Sequence, residues 1–410
     1  MFHLHHWFTA VILAVTLDAV SGFWILTQGQ LVTERLDPIV SPGKVSSHVH
    51  TFVGSNGVSS QPESSYSGSC TTAGVTADMS NYWAPQLYSY KGGKFDSVPL
   101  SFVNTYYLNR PGATSEIKAF PKGLKMLAGN AMATSQNPDP QLASAISFMC
   151  LDYTNGSEQY GLMPNRSCPQ GLRLQVTFPS CWDGVNLDSA DHKSHMSYPI
   201  GPHPDNGNCP STHPIKTMTL FYEFVYDTSK IDNTGGSSLI LANGDMVGYT
   251  LHADFLSGWD TNVLQAAVDQ CTSDLYNNLE ACPPFKPYID RSGASSCTTS
   301  PKVDEQVLGS LNYLPGCNAP LNGPLKGLPA NPSCSGSSTT STSSTTTSTT
   351  KSSGPTSTTS STSKPTQTNP SKIVTVTVTV TSTVTFTPSP TPANISNKKK
   401  IKRIPVRRSA

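Results

Sequence analysis

Apolar residues recur along this chain in short runs, most of them at a period close to two, and turn-forming pairs separate the runs. The spacing predicts strands over 22–27, 101–108, 172–178, 218–225 and 238–241. Pro111-Gly112, Asn155-Gly156, Asn206-Gly207, Gly235-Gly236 and Asn243-Gly244-Asp245 supply the breaks between them. Helical spacing is scarce. One segment, 262–278, places Val263, Leu264, Ala267, Val268 and Leu275 on one face, with Asp260 or Thr261 as its cap. Together these predict a mainly β body, a β-sandwich or jelly-roll-like fold, with long loops and few helices.

The two ends read differently. An apolar run over 8–20 ends in small residues, and cleavage after Ser21 would make 1–21 a secretory signal. No later run is long enough to span a membrane, so no span is expected after cleavage. Residues 335–397 are a Ser/Thr-rich low-complexity stalk, expected to be disordered and O-glycosylated because so little apolar surface cannot offset the ordering entropy. A basic tail, 398–410, follows. It reads as an electrostatic contact for anionic wall polymers or as a segment trimmed after Lys402-Arg403. The globular domain is then 22–334, including a Cys-rich C-terminal extension.

Secretion sets how the ten cysteines are read. All lie before the stalk, their number is even and no CxxC pair occurs. In an oxidising compartment this favours up to five disulfides over thiolate metal sites, with the pairing open. Residues 22–334 carry 17 Lys and Arg against 25 Asp and Glu, a net of −8 hidden by the basic tail. An acidic secreted body argues against nucleic acid as a partner. Sequons at Asn155, Asn165 and Asn394 fit a glycoprotein.

The chemistry-bearing residues cluster. Seven histidines remain after the signal, and most sit in polar, aromatic-rich motifs. His48 and His50 are two apart, as are His252 and Asp254, so on strands each pair would face one way. His192 and His195 are three apart, as on one side of a helical turn, and His213 lies nearby in sequence. The metal-ligand candidates are therefore His48, His50, His192, His195 and His213, and the candidate cofactor is a divalent metal ion. Hydrogen-bonded histidines that fix long loops are the competing structural reading. His252 and Asp254 form a candidate acid–base pair, with Asp183 assisting. Trp182, Trp259, Tyr198 and Asp37 are the candidate substrate-binding residues. Asp183 could equally belong to a plain turn beside Cys181.

Several chemistries are disfavoured. There is no HExxH helix, no G-x-S-x-G elbow and no Walker or dinucleotide glycine pattern. A histidine brace needs histidine first in the mature chain, and cleavage after Ser21 leaves Gly22.

The motifs do resemble a known family. Arg35-Leu36-Asp37-Pro38-Ile39-Val40-Ser41-Pro42-Gly43 followed by Ser47-His48-Val49-His50 is similar to the opening of the fungal secreted family called domain of unknown function 1996. The likeness runs on through Asp78 to Pro85, Phe178-Pro179-Ser180-Cys181-Trp182-Asp183-Gly184, His192-Lys193-Ser194-His195 and His252-Ala253-Asp254-Phe255. It covers roughly 31–271. The resemblance implies a secreted, wall-associated fungal protein and assigns no mechanism.

Residues and resemblance together give two expectations. The first is a secreted or cell-wall-associated protein whose His/Asp pocket binds or acts on cell-wall or plant polysaccharide, as a hydrolase or lyase. The second is a non-catalytic carbohydrate-binding or cell-wall structural module, which would present a flat aromatic platform from Tyr82, Trp83, Trp182 or Trp259.

Overall fold

The computed structural model describes residues 22–112 and 116–336. The expected signal, the basic tail and nearly all of the stalk lie outside the described residues. The body is mainly β, with several sheets and few helices.

Two sheets face each other. The larger has seven strands in the order Glu158–Tyr160, Ile146–Cys150, Leu172–Thr177, Thr219–Tyr226, Leu100–Leu108, Phe23–Gln28, Asp274–Tyr276. Only the last pair is parallel. The smaller has five antiparallel strands in the order Val32–Glu34, His50–Gly54, Asn81–Pro85, His252–Leu256, Lys125–Gly129.

Alternation explains the larger sheet. In Thr219–Tyr226, Leu220, Tyr222, Phe224 and Tyr226 point into the core, while Glu223 on the other face takes hydrogen bonds from Asn104 and Tyr106 and pairs with Arg173. The inward residues meet Val53, Tyr82, Ala84, Ala253 and Phe255 of the smaller sheet in one core. Tyr82 and Tyr222 pack edge-to-face across it, 5.7 Å between centroids.

The smaller sheet is covered on both faces. Its far side carries Phe52, Trp83 and Leu256, which pack under Leu31, Leu36, Ile39 and Val58. Asn81–Pro85 and His252–Leu256 are therefore buried at every position. Asn81-Tyr82-Trp83-Ala84-Pro85 shows no regular polar half, and no strand is predicted there, while the five predicted strands match to within one or two residues.

The helix is shorter than expected. It spans Thr261–Gln270, capped by the Asp260 carboxylate on the Asn262 and Val263 amides, rather than 262–278. Cys271 ends it and is bridged to Cys282. Asp274–Tyr276 then turns back as an edge strand beside Phe23–Gln28, with Tyr276 at φ 53°. Leu275 thus reaches the core from a strand.

All ten cysteines are paired: Cys70–Cys297, Cys150–Cys168, Cys181–Cys209, Cys271–Cys282 and Cys317–Cys334. Two of these bridges staple the C-terminal extension locally. Cys297 instead reaches back to Cys70, across 227 residues. No helix among the described residues is long and apolar enough to cross a membrane.

Candidate functional site

The smaller sheet brings three histidines together on its far face. His50 opens one strand and pairs across with Pro85. His252 opens another, and the Asp254–Trp83 register, continued two residues, sets it level with Pro85 from the opposite side. The two imidazoles therefore meet above one proline. His48 stands just before its strand and points into the same space, its ring centroid 4.4 Å from that of His50 and 5.1 Å from that of His252. One ligand atom from each of the three lies within 4.8 Å of the others, in a fully buried group.

The protons on these rings are fixed from outside. His50 Nδ1 lies 2.8 Å from the Leu36 carbonyl oxygen, and His252 Nδ1 lies 2.8 Å from that of Thr250. A carbonyl only accepts, so both Nδ1 atoms donate and both Nε2 atoms carry lone pairs when the rings are neutral. Yet these two Nε2 atoms stand 3.4 Å apart. His48 Nε2 lies 3.2 Å from His252 Nε2, with its Nδ1 3.0 Å from the Ser47 hydroxyl. The His48 ring can donate one proton inward. Between His50 and His252 there is none.

A proton from solvent is a poor remedy. Burial, with the neighbouring rings, drives His48 well below the usual imidazole range. Burial and the neighbouring His252 lower His50 to about 3, and burial lowers His252 to about 4 despite its carbonyl partner. A metal ion accepts all three lone pairs and needs neutral imidazoles, and Nδ1–H to carbonyl contacts orient such ligands. The donor set fits a transition metal.

Two carboxylates adjoin the group. Asp254, two residues beyond His252 on the same face, is fully buried, and neither of its oxygens has a hydrogen-bond partner among the described residues. Burial, with the charge of Asp37, pushes its carboxyl well above the ordinary range. Asp37 is raised to about 6 by burial, against the pull of the Val40 and Ile39 amides and of His192. Its Oδ1 accepts from those amides at 2.9 and 3.0 Å.

Lys193 completes the surroundings. Its ammonium donates to the Gly129 carbonyl, and its charge acts on both Asp254 and His252. Gly129 pairs with His252 on the neighbouring strand, and a Cβ there would stand 2.3 Å from the Leu251 oxygen. The absent side chain keeps this approach open. Lys193 lies within the His192–His195 motif, but an ammonium has no ligand signature, so spacing in sequence points to no role for it. Beside it opens a cleft of about 790 Å³, lined by Lys193, Tyr198, Gly129 and Leu251 among others.

The other candidates lie outside the three-histidine group. His195 has both ring nitrogens occupied, by the Ser189 hydroxyl at 2.9 Å and the Lys125 carbonyl at 2.7 Å. His213 likewise meets the Thr212 hydroxyl and the Ser194 carbonyl. His192, at φ 57°, holds Asp188 through Nδ1 at 2.8 Å and is felt by Asp37. Asp183 accepts from the Val185 and Asn186 amides and the Asn186 side chain, closing an exposed turn. Trp182 is half-buried, with its indole N–H on the Asn186 carbonyl. Trp259 is fully buried and donates to the Tyr107 hydroxyl. Tyr198 borders the cleft, and its hydroxyl donates to the Thr177 carbonyl. Tyr82 and Trp83 are also wholly buried, so of the four rings named for an aromatic platform only Trp182 reaches solvent.

A family model described as domain of unknown function (DUF1996) matches residues 37–259, more than half of the chain and the stretch holding every residue of this site. No curated protein and no solved structure is significantly similar to it.

Proposed function

Because this chain belongs to the DUF1996 family, whose description assigns no chemistry, we propose its function from the site: an extracellular domain that acts on polysaccharide through a transition-metal ion held by His48, His50 and His252. The five disulfides fit the oxidising setting that this reading requires. One observation carries the proposal. His50 and His252 turn lone pairs toward each other at 3.4 Å in a buried interior, with their other nitrogens locked on carbonyls. Such an arrangement is unfavourable without a cation between them.

His48, His50 and His252 would hold the ion, which would supply Lewis-acid chemistry toward a bound water or substrate. In this reading Asp254, two residues beyond His252 on the same strand face, would hold or release a proton. Its unpartnered oxygens leave it available for that work. Burial favours its neutral form, and the charge of Asp37 adds to that while Lys193 opposes it. Asp183, His192, His195 and His213 shape the surrounding loops in this reading.

The test is a screen of the purified protein for release of reducing ends from wall and plant polysaccharides, before and after chelation and after reloading with zinc, copper or manganese. The proposal expects release that chelation removes and one metal restores. Release indifferent to chelation would refute the metal's part, and no release from any polymer would refute the enzymatic part.

A further inference from the structure

The cleft beside the histidine group has the walls of a ligand site. At about 790 Å³ it lies in the range that receives small ligands. One wall is the loop 130–138, rich in amides and hydroxyls. The other is the turn that carries Lys193, Ser194 and Tyr198, and Leu142, Met196 and Leu251 add apolar surface. A lining of this kind suits a pyranose ring, which has hydroxyl edges and carbon–hydrogen faces.

Charge narrows the class. Lys193 has no ion-pair partner among the described residues, yet its ammonium already feels both Asp254 and Asp191. The Asp191 carboxylate is in turn occupied by the Ser194 and Lys193 amides and by the Ser189 and Ser194 hydroxyls. Among the described lining residues only Lys193 and Asp191 carry charge, one of each sign, so an anionic ligand finds no surplus cation and a neutral one meets a balanced wall.

The cleft also touches the histidine group physically. Gly129 and Leu251 belong to both, Gly129 as the cross-strand partner of His252 and Leu251 as the residue before it. Lys193 lines the cleft and reaches over Gly129 toward Asp254 and His252.

We infer that this cleft binds a neutral oligosaccharide segment, with Lys193 as the residue that joins the bound sugar to the histidine centre. The inference rests on the polysaccharide reading above but not on the metal, since the cleft walls hold none of the three histidines.

The experiment uses the full chain and four probes: hexamers of β-1,3-glucose, β-1,4-glucose and β-1,4-N-acetylglucosamine, and hexagalacturonate, each titrated by calorimetry with and without chelator. At least one neutral hexamer should bind. Thr134→Trp, a substitution at an exposed cleft position, and Lys193→Met should each weaken that binding at least tenfold. Thr134→Trp should leave metal content unchanged, which separates cleft from centre. Binding to none of the neutral hexamers, preference for hexagalacturonate, or indifference to Thr134→Trp would overturn the inference. Hexamer binding by a protein that takes up no metal would count against the metal centre and leave the cleft standing.

Discussion

His50 Nε2 and His252 Nε2 face each other at 3.4 Å, each ring held by a hydrogen bond from Nδ1 to a backbone carbonyl 2.8 Å away. They come from strands separated by 202 residues in sequence, and one strand stands between them in the sheet. The sheet register brings them together, and the carbonyls of Leu36 and Thr250 aim them.

The first prediction concerns the strain of that arrangement without a cation. Free metal at 100 times its dissociation constant should stabilise the fold by about 2.7 kcal/mol. Thermal melts of chelator-treated protein should rise on adding zinc or copper, and His252→Ala should abolish the rise. An unchanged melting temperature in the wild type would contradict this.

Asp254→Asn tests the carboxyl. Burial already favours its neutral form, so an amide of the same shape should leave thermal stability nearly unchanged or raise it slightly. Polysaccharide turnover should fall at least a hundredfold, of the order expected for a lost general acid or base. A variant that unfolds would assign Asp254 a structural role, and one with full turnover would remove it from the reaction.

How much of this was legible in the sequence depends on solvent. Thr219–Tyr226 advertised itself because one of its faces carries the polar Glu223. His252–Leu256, buried on both faces, left only the two-apart spacing of His252 and Asp254 as its mark. The pairs His48/His50 and His252/Asp254 were visible as strand-spaced residues, but their meeting depends on which strands neighbour each other, and no local spacing records that. His195 and His213 carried the same signal in sequence, yet carbonyls and hydroxyls already occupy their ring nitrogens. Only three-dimensional partners separate a fixed histidine from a free one.

A pH effect should arise away from the site. Asp78, buried and bonded to the Tyr82 hydroxyl and the Ser80 amide, has its carboxyl raised by burial to about 6. The folded state then holds its proton more tightly than the unfolded chain does. Its contribution is fully present below about pH 4 and is lost as pH rises through 6, on the order of 3 kcal/mol in all. Asp78→Asn should remove this slope. Denaturant titrations of both proteins between pH 4 and 7 would show it, and parallel curves would contradict it.

The Cys181–Cys209 bridge closes the segment that carries Asp188, Asp191, His192 and Lys193. Replacing both cysteines by serine should cost about 2–4 kcal/mol of stability. Because Lys193 lies inside that loop, neutral hexamer binding should weaken more than metal binding. Urea melts and calorimetry measure the two effects, and an unaltered hexamer affinity would show that the cleft wall stands without the bridge.

The most direct test is the metal stoichiometry of the site. Full-length protein stripped by chelator, then titrated with zinc and with copper by calorimetry and checked by elemental analysis, should bind one ion per chain. His50→Ala and His252→Ala, shown folded by circular dichroism, should bind none, and His213→Ala should bind as the wild type does. No stoichiometric ion in the wild type, or full binding by folded His252→Ala, would contradict the centre.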